Sequence, residues 1–169
     1  RLSRHVQRKA LRTFGWWSGA LAGLRLSINL MANDLDRPGY EQWLLAEIAD
    51  AWRCWHERSH AGEYLHTDDP DWWAVEYWLS NRLAFRREDV AREGLLALVD
   101  AVGDDLLPCV GAGPLESFID AVESRICWIE EEAKRSPRFR KALACIHTWG
   151  IEEKWASERL ERAAGVPLA

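Results

Sequence analysis

GPLESFIDAVESRICWIEEEAKRSPRFRKALACIHTWG, residues 113 to 150, is the stretch on which the fold turns. Leu115, Phe118, Ile119, Val122, Ile126, Ile129 and Ala133 recur every three or four places, which lines one face of a helix turning once per 3.6 residues. Gly113-Pro114 reads as the start of that helix: glycine as N-cap, proline at the first position where its missing N–H costs nothing, and Glu116 in the first turn. The stripe persists for nearly twenty residues, so the spacing predicts a helix that is continuous or only kinked. Ser136-Pro137 repeats the start chemistry, with Phe139, Leu143 and Ile146 as the next buried face and Gly150 as its end.

Working outward, the same period continues. Trp43 to Trp55 places Leu44, Ile48, Ala51, Trp52 and Trp55 on one face. Glu57 to Asp69 has no period and reads as a loop holding His60 and His66. Asp69-Pro70-Asp71 is another helix start, for a segment reaching about Arg87 with Trp72, Val75, Trp78, Leu79 and Leu83 inward. Glu88 to Val102 follows with Ala91, Leu95, Leu98 and Val102 inward and Gly103 as a stop. A helical turn through Leu106 and Leu107 is expected before Pro108. Ile151 to Ala164 makes a last helix with Ile151, Trp155 and Leu160 inward. No run shows period-2 alternation with β-branched enrichment. The expectation is an all-α single domain of six or seven helices, antiparallel neighbours on short connections, in an irregular bundle or solenoid-like stack.

Composition agrees with one globular unit. The chain has 169 residues, 48% hydrophobic, with 11 tryptophans, enough apolar surface to offset the entropy of ordering. Its net charge of -5 argues against a chain built to grip a phosphate backbone. The charge is uneven. Residues 1–30 carry Arg1, Arg4, Arg8, Lys9, Arg12 and Arg25 and no acid, so residues 31–169 hold 16 basic and 27 acidic groups. Met31 is the only methionine, which makes it a candidate natural start, with residues 1–30 a basic N-terminal extension and 31–169 the helical domain. The apolar run from Thr13 to Leu24 is interrupted by Arg25 and falls short of the roughly 20 residues that span a bilayer. An amphipathic surface helix is the rival reading of that segment. A cytoplasmic protein without membrane attachment is the expectation.

From Gly113-Pro114-Leu115-Glu116 through Trp128 to Leu143, ending at Trp149-Gly150, the pattern "GPLE", then an acidic helix, then "SPRFRKAL", then "WG" resembles an uncharacterised bacterial family, a domain of unknown function. The likeness covers about residues 43 to 150 and is specific only over 113 to 150. It implies a small helical domain without an assigned reaction; the expectation of no cofactor comes from the residues themselves, which offer no phosphate-binding loop.

Groups that could carry chemistry are sparse. Cys54, Cys109, Cys127 and Cys145 are far apart in sequence and read as free thiols. Cys54-Trp55-His56 and Cys145-Ile146-His147 invite a zinc or a thiol–imidazole reading. Positions i and i+2 of a helix point about 200° apart, so neither pair converges on one ion or proton. His60 and His66 with Asp68, Asp69 and Asp71 could form a metal or acid–base cluster; a solvated loop and a helix cap is the simpler account. Gly111-Ala112-Gly113-Pro114 lacks the strand and downstream lysine of a phosphate loop.

The run Lys134, Arg135, Arg138, Arg140 and Lys141 could hold an anion, yet Glu130–Lys134 and Glu131–Arg135 are helical i,i+4 pairs that account for part of it. Trp43, Trp73, Trp128 and Trp149 fit the buried stripes less well than Trp52, Trp72, Trp78 and Trp155 do. With Arg138 and Arg140 they are the candidate partner contacts. Two functions compete. One is a non-catalytic helical module that binds another protein as an immunity or regulatory factor, its acidic surface matching a basic partner such as a nuclease toxin. The other is a small hydrolase or metal-dependent enzyme using the His60–Asp71 loop.

Overall fold

A computed structural model describes residues 39–63, 65, 69, 71, 72, 75, 88–119, 122–148 and 151–168. Every regular element among them is helical, and no strand occurs there. The expected extension 1–30, the start at Met31, most of the Asp69–Arg87 helix and the stop at Gly150 lie outside the described residues. The chain divides into two compact units, residues 1–77 and 78–169.

In the first unit, α1 runs Tyr40–His60 from Gly39, whose φ of 77° favours a residue without a Cβ. Leu45, Ile48, Ala49, Ala51 and Trp52 are buried, which is the face the spacing predicts shifted slightly toward Leu45. The helix outlasts its apolar stripe: Glu57 to His60 are helical and not loop. The reason is polar support, since Arg53 bridges Asp50 and Glu57 on consecutive turns, the latter at 2.8 Å. Beyond it, Asp69 caps the next turn, its carboxylate accepting from the Asp71 N–H at 2.9 Å.

Among the described residues of the second unit the first element is α2, Glu88–Ala101, whose Ala91, Leu95, Leu98 and the following Val102 are buried as expected. A turn does precede Pro108, the Leu106 N–H donating to the Gly103 carbonyl at 3.1 Å, and Pro108 itself lies in the first turn of α3, Leu107–Val110, where no N–H is needed. The chain then continues through a wider π turn, Gly111–Leu115, into the short α4, Glu116–Phe118. Gly113 is therefore not an N-cap, because helix already precedes it. Pro114 lies inside, and a proline ring cannot sit over the carbonyl four residues back; the wider turn lets the Glu116 N–H reach the Gly111 carbonyl, five back. Gly111 also faces the helix that carries Ala142 so closely that a Cβ there would stand 2.1 Å from the Ala142 carbonyl oxygen.

The long helix expected from Leu115 to Ala133 is broken. Ile119 and Val122 are extended, with ψ of 129° and 119°, and α5 begins afresh at Glu123–Arg135. The stripe is still buried on both sides of the break, at Leu115, Phe118, Ile126, Ile129 and Ala133. The break is stabilised by Arg125, itself buried, which donates to the Phe118 carbonyl at 3.1 Å and to Glu88 at 3.2 Å. A side chain thus satisfies a carbonyl that a continuous helix would bond to its own next turn.

Ser136 ends α5 and caps α6, Pro137–Leu143, its hydroxyl accepting from the Phe139 N–H at 3.1 Å as the sequence predicts. This helix of one and a half to two turns is the hub of the unit, touching α2, α3, the π turn and α5. It also touches α7, Lys154–Ala164, which packs mainly on α5. Here the inward face is Ala156, Leu160 and Ala164, not Ile151 and Trp155. Ile151 precedes the helix, and Trp155 is 38% exposed. The two alanines let α7 approach its neighbours closely, and an indole on that line would hold it away.

Candidate functional site

Of the residues expected at a contact surface, Trp73 and Trp149 lie outside the described residues. Trp43 is half-buried in the first unit, its ring 5.4 Å from that of Tyr40. Trp128 is half-buried in the second unit, edge-on between Phe118 and Phe139 at 5.4 and 5.5 Å, with the Arg92 guanidinium 5.4 Å from its centre. Those contacts make it a packing residue. Arg138 reaches across to the end of α2, donating to the carbonyls of Val99 and Val102 and pairing with Asp104. It supplies the cap expected of Gly103. Arg140 is exposed on α6.

Most of the rest of the basic run is paired with acids. Lys134 pairs with Glu131 at 3.2 Å, Arg135 with Glu132 at 3.0 Å and with Glu131 at 3.9 Å, and Lys141 with Asp104 at 3.1 Å. Glu130 does not pair with Lys134 as its spacing suggests; it is drawn to Arg159 on α7.

The loop at Asp69 and Asp71 is organised around a cation the chain already carries. Arg58 donates to Asp69 at 2.6 Å and to Asp71 at 3.1 Å, and the Asp69 bond holds its guanidinium protonated. His60 is exposed at the end of α1, while His66 and Asp68 lie outside the described residues. Among the described residues no three His, Cys, Asp or Glu side chains gather as metal ligands would.

Each Cys-x-His pair also separates. Burial pushes the Cys54 thiol up, away from thiolate. His56 lies against Trp52, ring centres 3.8 Å apart, and burial with His60 nearby lowers its pKa to about 4. Cys145 donates to the Lys141 carbonyl at 3.5 Å, whereas His147 engages Glu116 across the unit, both its backbone N–H at 3.1 Å and its Nδ1 at 3.0 Å. Glu116, read as an acid facing its own helix end, instead fastens the chain after α6.

A different surface comes together on α7. Trp155, Glu158 and Arg162 fall at offsets 0, 3 and 7, opposite the buried Ala156–Leu160–Ala164 line, and Val166 follows the left-handed Gly165 that ends the helix. Trp155 is 38% and Val166 44% exposed. Beside Trp155, Arg159 has its guanidinium 5.8 Å from the ring centre and grips Glu130 through two bonds, at 2.8 and 2.7 Å. It also bonds Glu123 and, at 3.2 Å, the Cys127 thiol, so both carboxylates are held below their ordinary range. Val122, 40% exposed, adjoins Glu123. At the other end, Glu158, Glu161, Arg162, Gly165, Val166 and Pro167 line a shallow, open depression.

Sequence reasoning missed Trp155 by one residue of register. The signal was present in Ala156, Leu160 and Ala164, which form a cleaner i, i+4, i+8 line than the one through Trp155. Comparison of the chain with protein-family models, with curated proteins and with solved structures finds no match. Among the described residues no helix is long and apolar enough to cross a membrane.

Proposed function

We propose that this chain is a non-catalytic helical module that binds another protein, in an immunity or regulatory role. The observation that carries the reading is the exposed Trp155, with the Arg159 guanidinium over its ring, on a helix whose other face is fully committed to the core. Tryptophan is rare on ordinary surfaces and enriched where proteins meet, because a rigid ring contributes much buried area at little entropic cost. The reading is further supported by how reactive groups are used: Arg58 occupies Asp69 and Asp71, Glu116 holds His147, and Cys145 is turned to a backbone carbonyl.

The test is affinity capture with the full chain from an extract of the organism that encodes it, followed by calorimetric titration of the purified partner. A stoichiometric, saturable complex is expected. Failure to retain any protein above an unrelated bait would remove the reading.

A further inference from the structure

The outer face of α7 has a chemical character as well as an exposed ring. Around it stand Glu152, Glu153, Glu158 and Glu161 on or before the helix and Glu123 and Glu130 from α5, against Lys154, Arg159 and Arg162. Two of those cations are already engaged: Arg159 by Glu123 and Glu130, and Lys154 by Glu158 at 3.4 Å. The face is therefore net acidic. The depression lies at the C-terminal end of the helix, where the backbone carbonyls add a partial negative charge. Its walls offer the carboxylates of Glu158 and Glu161, with the single cation Arg162 next to Glu161 in sequence, beside the apolar Val166 and Pro167. Trp155 stands in the first turn of the helix and Val166 just past its end, beyond the left-handed Gly165, so the two mark the ends of the strip.

We propose that this strip, from Trp155 to the Glu158–Glu161–Val166 depression, is the docking surface for a basic amphipathic segment of a partner protein. The inference rests on the protein-binding reading and narrows it to one face and one partner chemistry. An apolar side chain of the partner packs on Trp155 and a second on Val166 and Pro167. Between them, a lysine or arginine enters the depression, where two carboxylates and the helix end stabilise it. Arg159 is the support that keeps the indole presented, because its guanidinium is fixed from behind by Glu130. Opposite charge also speeds encounter, and it makes the complex sensitive to salt.

The experiment titrates the full chain with a lysine-rich helical peptide of about 15 residues, leucines along one face, and with the same peptide carrying glutamate in place of lysine. The lysine peptide is expected to bind and to weaken as salt rises, and the glutamate peptide to fail. Trp155→Ala and the double variant Glu158→Lys with Glu161→Lys should each weaken binding about tenfold, with helicity by circular dichroism unchanged. Glu93→Lys, on the exposed side of α2, should bind as the parent does. Equal binding of the two peptides, or no loss in Trp155→Ala, overturns the proposal. So does self-association of the chain that Trp155→Ala abolishes, since a second copy would then be the occupant. A captured partner that binds Trp155→Ala as tightly as the parent overturns this surface alone and leaves the protein-binding reading standing; no partner at all removes both.

Discussion

Gly111 and Gly113 stand two residues apart in the same π turn, and the structure gives them opposite fates on substitution by alanine. At Gly111 the new Cβ would lie 2.1 Å from the Ala142 carbonyl oxygen and 3.1 Å from the Cys145 Cβ. Ordinary contact begins near 3.4 Å, so α6 would have to withdraw by more than about 1 Å. The obstacle is backbone, and α6 carries Phe139, Ala142 and Leu143, all fully buried, so the whole hub moves or strains. Overpacking of this kind costs ~1 to 3 kcal/mol, and a backbone obstacle puts Gly111→Ala at the upper end. For a unit of this size that is a fall in Tm of roughly 10 to 20 °C. At Gly113 nothing lies within 4 Å, and its φ is not positive. Alanine there restricts the unfolded chain and favours helix, so Gly113→Ala should stabilise by ~0.4 to 1 kcal/mol. Urea unfolding followed by far-ultraviolet circular dichroism measures both. The reasoning fails if the two variants fall within about 0.5 kcal/mol of each other, because the close approach of the π turn to α6 would then not exist.

Replacing the Ser136 hydroxyl removes the cap on the Phe139 N–H, so Ser136→Ala should lose ~0.5 to 2 kcal/mol in the same denaturation assay, and Ser136→Asp should recover most of it. Trp128→Ala should cost ~3 to 5 kcal/mol because its ring packs between Phe118 and Phe139, whereas Trp155→Ala should stay within about 1 kcal/mol; equal losses would mean that Trp155 is buried after all. His56 titrates at about 4 in the folded chain against 6.5 unfolded, so folding favours the neutral ring. Its contribution is whole above pH 6.5 and is lost as pH falls toward 4. Taken in full this is worth ~3 kcal/mol, but the ring is only half-buried and solvent screening reduces it to ~1 kcal/mol. His56→Phe should remove that part of the acid sensitivity, seen as a smaller difference in unfolding midpoint between pH 7 and pH 4.5 than the parent shows. Arg138→Met keeps the stem but uncaps the Val99 and Val102 carbonyls, and faster amide exchange confined to the last turn of α2 is the expected signature.

Much of this was legible before any coordinates. The Ser136-Pro137 cap and the inward faces of α2 and α6 follow from interactions reaching no more than about four residues along the chain. The candidate surface was not legible in the same way. Trp155 and Leu160 satisfy a helical spacing as well as Ala156 and Leu160 do, and hydrophobicity alone favours putting the larger ring inside. What decides is the distance α7 must close to α5 and α6, which only small residues allow.

By itself, then, the amino-acid order determined that this chain is helical, where its strongest cap stands and which faces of its central helices are apolar, since each is a local matter of turn geometry and chain entropy. Tertiary structure decided where the helices break and that Trp155 meets solvent. Arg125 makes a gap at Ile119–Val122 tolerable by supplying the Phe118 carbonyl with a donor seven residues away. Glu116 and His147, and Arg138 with the end of α2, likewise join residues more than thirty positions apart. Such partners are chosen by packing, because a buried carbonyl or carboxylate must find a donor wherever the fold brings one.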